Sequence, residues 1–198
     1  MGRGSKDSKI ICGVDEVGRG PLAGPVVAAA VILDAAKPID DLADSKLLSP
    51  AKRQRIYSHI IENAAGYAVA GVSCDIIDKV NILQATFMAM RKAIESLPIM
   101  PDKIYVDGCF KIPGLDIEQE AIIGGDRLIA QVSAASIVAK VTRDTYMVDI
   151  AKMYPDYGFD KHKGYGTDQH RKALKKHGHC RIHRKSFRPV SSLIKMLT

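Results

Sequence analysis

With 198 residues, 46% of them hydrophobic, the chain has material for one ordinary core and at most a small appendage. The formal net charge of +7 is uneven, with Lys, Arg and His crowding residues 161–188, which suits a polyanionic partner but equally suits a solvated face. The longest apolar run (26–33) is too short to cross a bilayer, no signal peptide is recognisable, and Cys12, Cys74, Cys109 and Cys180 form no C-x-x-C pair; a membrane span, a disulfide framework and a zinc ribbon are excluded, and a soluble protein of the reducing cytoplasm is expected.

Residues 10–14 are apolar and run into Asp15-Glu16 and the turn-forming Gly18-Arg19-Gly20-Pro21. Residues 26–33 form a second run of strand length, so the two read as a strand pair. Residues 67–74 read as a third strand. A helix follows, with Leu83, Phe87, Met90, Ile94 and Leu97 on one stripe and Pro98 as its stop. Residues 104–106 and 121–123 read as two more strands, the latter ahead of Gly124-Gly125. Residues 133–153 predict a long helix with Ala134, Val138, Val141 and Val148 inward and Lys140, Arg143 and Asp144 off that face. Beyond Pro155 Gly, Lys and His dominate until a short amphipathic end at 191–197. The expectation is an α/β domain over 1–155 and a basic helical and loop extension over 156–198 packed on it.

Asp15-Glu16 at a strand end is the sharpest chemical feature. Two exposed acids at a turn would be the bland explanation. Asp107, however, also ends an apolar strand, and Asp126 follows another through Gly124-Gly125. Sites in α/β sheets gather at the carboxyl ends of strands, so acids distant in sequence can converge there. Clustered carboxylates repel one another unless a cation offsets them, and hard oxygen ligands point to Mg2+ or Mn2+. Two such ions roughly 3.5 to 4 Å apart activate water and stabilise a leaving oxygen, the chemistry of nucleases. The glycines of Gly18-Arg19-Gly20 let backbone approach a sugar-phosphate closely. Residues 13–20 superficially resemble a P-loop, but Arg19 and Gly20 stand where Lys and Ser or Thr belong, and Asp15-Glu16 would repel phosphate. A cluster of His177, His179, Cys180 and His183 has no standard zinc spacing and reads as part of the basic extension, meeting phosphate or water.

The run from Asp15 through Val17, Leu22 and Ala23 to Pro25 resembles the opening signature of type 2 ribonuclease H. The resemblance continues through Asp44-Ser45-Lys46, Val106-Asp107-Gly108, Gly125-Asp126, the stretch 133–144, Gly164-Tyr165-Gly166-Thr167 with His170, and His183-Arg184-Lys185-Ser186-Phe187-Arg188-Pro189, so it covers nearly the whole chain. It implies a ribonuclease H-like fold with a mixed central sheet flanked by helices and a short C-terminal helical extension. It implies metal-binding catalytic carboxylates at Asp15, Glu16, Asp107 and Asp126, with Asp144 as an additional acid near the metals. Gly18, Arg19 and Gly20 match the segment that reads the ribose 2′-hydroxyl, Tyr165 the tyrosine that packs on the neighbouring deoxyribose, and Lys46 a residue near backbone phosphate. The implied substrates are RNA-DNA hybrids and single ribonucleotides in duplex DNA, cut on the 5′ side to leave 3′-hydroxyl and 5′-phosphate ends. The implied protein is a monomer with no evident protein partner or clamp-binding tail. An inert nucleic-acid-binding module and a nucleotide hydrolase are the competing classes, the latter lacking a phosphate cradle. The related type 3 enzymes differ around the glycine-rich turn.

Overall fold

The computed structural model describes residues 9–40, 42 and 48–197; Asp44-Ser45-Lys46, and with it the Lys46 expectation, lies outside them. Five strands form one mixed sheet: β1 (Ile11–Val17), β2 (Val26–Ile32), β3 (Gly66–Val72), β4 (Lys103–Asp107) and β5 (Glu118–Ile122), in the order β3-β2-β1-β4-β5. β1 and β3 run antiparallel to β2, whereas β1, β4 and β5 are mutually parallel and deliver their carboxyl ends to one side of the sheet.

Strand periodicity sorts the core into two layers. Cys12 and Val14 of β1, with Val26, Ala28, Ala30 and Ile32 of β2, face α2 (Cys74–Val80) and α3 (Ile82–Glu95). The alternate residues Ala29 and Val31 face α1 (Pro50–Asn63) and the long α5 (Ala130–Met153). Gly13 lies on the α5 side, where an added Cβ would stand 2.1 Å from the main-chain carbon of Gln131. Helix and strand backbones can approach so closely there only because β1 has no side chain at that position.

The extent of several elements differs from expectation. α1 begins at the Ser49 cap and Pro50, yet buries only Ile56 and Ile60, too thin a stripe to stand out. β5 starts three residues earlier than its apolar end suggests, because this edge strand carries Glu118 and Glu120, both paired with Lys103 across the sheet. α5 buries every residue from Val132 to Ala139, since sheet and α1 enclose it, so no single stripe marks its inner face. Val148, expected inward, is exposed, and Arg143, expected outward, is fully buried.

The chain continues into α6 (Phe159–His162), α7 (Asp168–His177) and α8 (Val190–Leu197). Phe159, Tyr157 and Met147 pack with Ala23, and Leu174 and Val190 pack with Leu22, so this portion closes around the turn after β1. No helix among the described residues is long and apolar enough to cross a membrane.

Candidate active site

β1 carries its acids inside the strand rather than after it: Asp15 and Glu16 pair with Ala29 and Ala28 of β2, and the strand ends at Val17. The parallel ladder to β4, however, stops at Val14 opposite Val106. One residue further on, Asp15 and Asp107 leave side by side on the α5 face, while Glu16 turns to the α3 face. Glu16 and Asp107 both line a cavity of about 280 Å³ with Arg19, Thr86 and Phe87. Asp126 enters from the first turn of α4 (Gly125–Leu128), its N–H directed to Oδ1 of Asp107 at 3.4 Å. Gly124 in the left-handed region and the close packing of Gly125 against Asp107 allow that entry. The four sequence-nominated acids thus converge.

Their electrostatics is that of a crowded anionic site. Burial, then Glu16 and then Asp107, hold the Asp15 carboxyl well above the usual carboxylate range; hydrogen bonds from Ser136 and the Glu16 N–H oppose them. Burial raises Glu16 too, against the pull of Arg19, whose Nη1 lies 3.3 Å from Oε1. Asp15 and Asp126 are 5% and 2% exposed, so water does little to relieve the repulsion. Hard oxygen donors under this strain fit a divalent cation. Among the described residues no three His, Cys, Asp or Glu side chains are already closed to ligand geometry. The oxygens lean instead on protein donors, with Asp126 Oδ1 3.9 Å from Nε of Arg127.

Asp144 is not brought to this cluster. It lies two turns along α5 from Ser136, roughly 12 Å on, is bound by Lys140 Nζ at 3.0 Å, and borders a separate groove with Pro50, Arg53 and Lys163.

The Gly18-Arg19-Gly20 turn meets Tyr165 through Gly20. A Cβ on Gly20 would contact the Tyr165 ring at 4.0 Å, and the ring is 39% exposed. Beneath the turn lie two fully buried arginines that sequence reasoning did not place there. Arg143 donates to the carbonyls of Pro25 (2.9 Å), Lys163 (3.0 Å) and Ala23 (3.2 Å), and its guanidinium faces the Tyr165 ring at 5.9 Å. Arg184 donates to Gly18 (2.5 Å), Arg19 (2.7 Å) and Gly24.

A histidine chain supports the other side of Tyr165. The Cys180 N–H donates to Nδ1 of His183, and the Nε2 atoms of His183 and His170 are 3.0 Å apart. Nδ1 of His170 lies 2.9 Å from the Tyr165 carbonyl. One tautomer set satisfies every link: both rings neutral, His183 donating from Nε2 and His170 from Nδ1. Burial pulls the His183 ring down to about 4 and lowers His170 as well. His183 therefore corrects the expectation of phosphate or water contact: it is 1% exposed and structural.

A more voluminous cavity, about 650 Å³ between β3 and α5, shares no residue with the acid site and is lined mainly by apolar groups. Size does not mark the chemistry here.

Comparison with known proteins agrees with this fold. The family model for Ribonuclease HII matches residues 12–190. A Ribonuclease HII of Burkholderia ambifaria is 52% identical over 193 residues, 98% of this chain and 88% of that protein. The ribonuclease H2 of Pyrococcus horikoshii superposes with a TM-score of 0.78 at 30% identity, covering 94% of this chain and 97% of that one. The RNase HII in a PCNA:RNase HII complex from Archaeoglobus fulgidus gives 0.76 at 25% identity, covering 90% and 95%.

Proposed function

The chain belongs to the ribonuclease HII family, a nuclease hydrolase of the ribonuclease H-like fold that acts on RNA-DNA hybrids, and from that premise we propose that it also cuts on the 5′ side of single ribonucleotides in duplex DNA. The observation that carries this reading is the adjacency of the convergent acids to the Gly18-Arg19-Gly20 turn and Tyr165 on one surface. Asp15, Glu16, Asp107 and Asp126 would hold divalent cations, Mn2+ or Mg2+, which when bound activate water and stabilise the leaving oxygen in a two-metal scheme.

The protein's own residues supply the selection. The 2′-hydroxyl is the one group that separates a ribonucleotide from its neighbours, and backbone N–H and C=O groups at the turn can bond it. The Tyr165 ring offers a flat apolar face to the next sugar, which tolerates the missing hydroxyl. The products are 3′-hydroxyl and 5′-phosphate ends. Exposed Lys161, Lys172, Lys175, Lys176, Lys185 and Arg188 in the extension 156–198 grip phosphates without reading sequence. Lys46 is assigned a contact with the backbone phosphate, and Asp144, paired with Lys140 beside a separate groove, is left out of the catalytic set. The enzyme works as a monomer in the reducing cytoplasm, in keeping with its free cysteines.

The test is cleavage of a labelled DNA duplex containing one ribonucleotide, with Mn2+, with Mg2+ and with chelator, beside all-DNA and hybrid controls. A metal-dependent cut on the 5′ side is expected. Cutting of the hybrid alone would remove the proposed roles of the turn and Tyr165, and binding without cutting under either metal would favour an inert module.

A further inference from the structure

Arg184 spends its whole hydrogen-bonding fork on one turn. Nη2 reaches the Gly18 carbonyl at 2.5 Å, Nη1 the Arg19 carbonyl at 2.7 Å, and Nε and Nη2 the Gly24 carbonyl at 3.0 and 2.9 Å. Each of these contacts spans at least 160 positions in sequence. Every hydrogen bond made by Arg184 or Arg143 goes to a main-chain carbonyl. Burial, and then the neighbouring Arg143, bring the Arg184 guanidinium down to about 9. A buried cation set beside another is costly, and an apolar side chain would hold a loop more cheaply.

The gain lies in what a guanidinium does to a peptide plane. In a trans peptide the C=O and the following N–H point in opposite directions. Drawing the Gly18 carbonyl inward therefore turns the Arg19 N–H outward, and drawing in the Arg19 carbonyl turns the Gly20 N–H outward. Arg19 and Gly20 are exposed, and neither N–H has a backbone acceptor among the described residues. Gly18 is seated so tightly that a Cβ would lie 2.2 Å from Nε of Arg143, at a φ of +90°. The turn is thus clamped from below with two successive donors facing solvent beside Tyr165.

We propose that Arg184 is a positioning residue for sugar recognition: by holding the Gly18 and Arg19 carbonyls it aims the N–H groups of Arg19 and Gly20 at the ribose 2′-hydroxyl. This rests on the reading of the turn given above. Arg184 touches no substrate; it acts through the backbone, and Arg143 supports it from the Ala23 and Pro25 side. Lysine would keep the charge but offers donors from a single atom, which cannot span three carbonyls in a fixed plane.

The experiment uses full-length protein carrying Asp107→Asn, so that substrate is bound and not consumed. Dissociation constants are measured by fluorescence anisotropy for two duplexes of one sequence, one with a single ribonucleotide and one all DNA. The parent is expected to prefer the ribonucleotide duplex. Adding Arg184→Lys should reduce that preference at least fivefold while changing all-DNA affinity less than twofold, with cooperative melting retained. A folded double variant that keeps the parental ratio, even with both affinities lowered in parallel, overturns the proposal and leaves the role of the turn standing. A parent with no preference overturns the reading of the turn, and this proposal with it. Should Arg184→Lys not fold, the amide resonances of Arg19 and Gly20 in the parent provide the decision. They should shift with the ribonucleotide duplex and not with the all-DNA duplex; equal shifts, or none, overturn the proposal.

Discussion

Two buried charged regions lie back to back around the turn after β1, and burial treats them oppositely. At the ends of the parallel strands Asp15 and Glu16 are raised by desolvation and by their acidic neighbours. Beneath the turn Arg184, His183 and His170 are lowered by the same loss of water. The difference lies in satisfaction. The bases have carbonyl acceptors and a consistent tautomer chain within the protein, whereas Asp15 and Glu16 stay raised even with Arg19 beside Glu16. A charged group fully answered from inside is scaffold, and one left strained toward a cavity is a site awaiting a ligand.

The most severe break in this comparison is Asp107→Asn, which removes a carboxylate without changing volume. Turnover should fall by more than the roughly 100-fold typical of changes outside the ligand shell of a metal site, with duplex binding and melting temperature nearly unchanged. Single-turnover cleavage checks this, and retained activity contradicts the role of the acids. Next is Gly13→Ala, where the new methyl meets the α5 backbone at 2.1 Å. It should destabilise the fold by roughly 3 kcal/mol, read from urea denaturation, because neither β1 nor α5 can move without shifting Asp15.

Tyr165→Ala tests the seam between the regions. Cleavage at a single ribonucleotide should slow about tenfold, as expected for losing a sugar-packing contact worth about 1.4 kcal/mol in the transition state, while the salt dependence of binding stays the same. An unchanged rate removes Tyr165 from junction selection. The smallest effect is in pH dependence. A His183 ring lowered to about 4 contributes stability that is complete above the unfolded value of 6.5 and is lost as pH falls from there toward 4. Melting temperature should decline across that window, and His183→Gln should flatten the decline; an equal slope in the variant contradicts the neutral chain.

The acids were legible in sequence because a carboxylate at the end of an apolar strand is unusual, and three strands repeated it. The parallel strands β1, β4 and β5 then needed only a common direction to bring them together. Arg143 and Arg184 were not legible. A charged residue in a helical pattern, such as Arg143, or in a basic stretch, such as Arg184, reads as solvent-facing, and what buries these two is a set of carbonyls 118 to 166 positions away for all but one contact. α1 escaped notice for a related reason: its thin inner stripe is completed only by α5 and β2. Asp144 shows the opposite limit, where motif similarity nominated a residue that the helix carries away from the cluster and pairs with Lys140.

The central claim, that the convergent acids form a cation-dependent centre, is tested most directly by counting bound Mn2+ by electron paramagnetic resonance with a ribonucleotide-containing duplex present. The account predicts up to two tightly bound ions, with occupancy reduced by Asp107→Asn and by Asp126→Asn and unaffected by Asp149→Asn on the exposed end of α5. Tight Mn2+ binding that survives both substitutions, or none in the native chain, would contradict it.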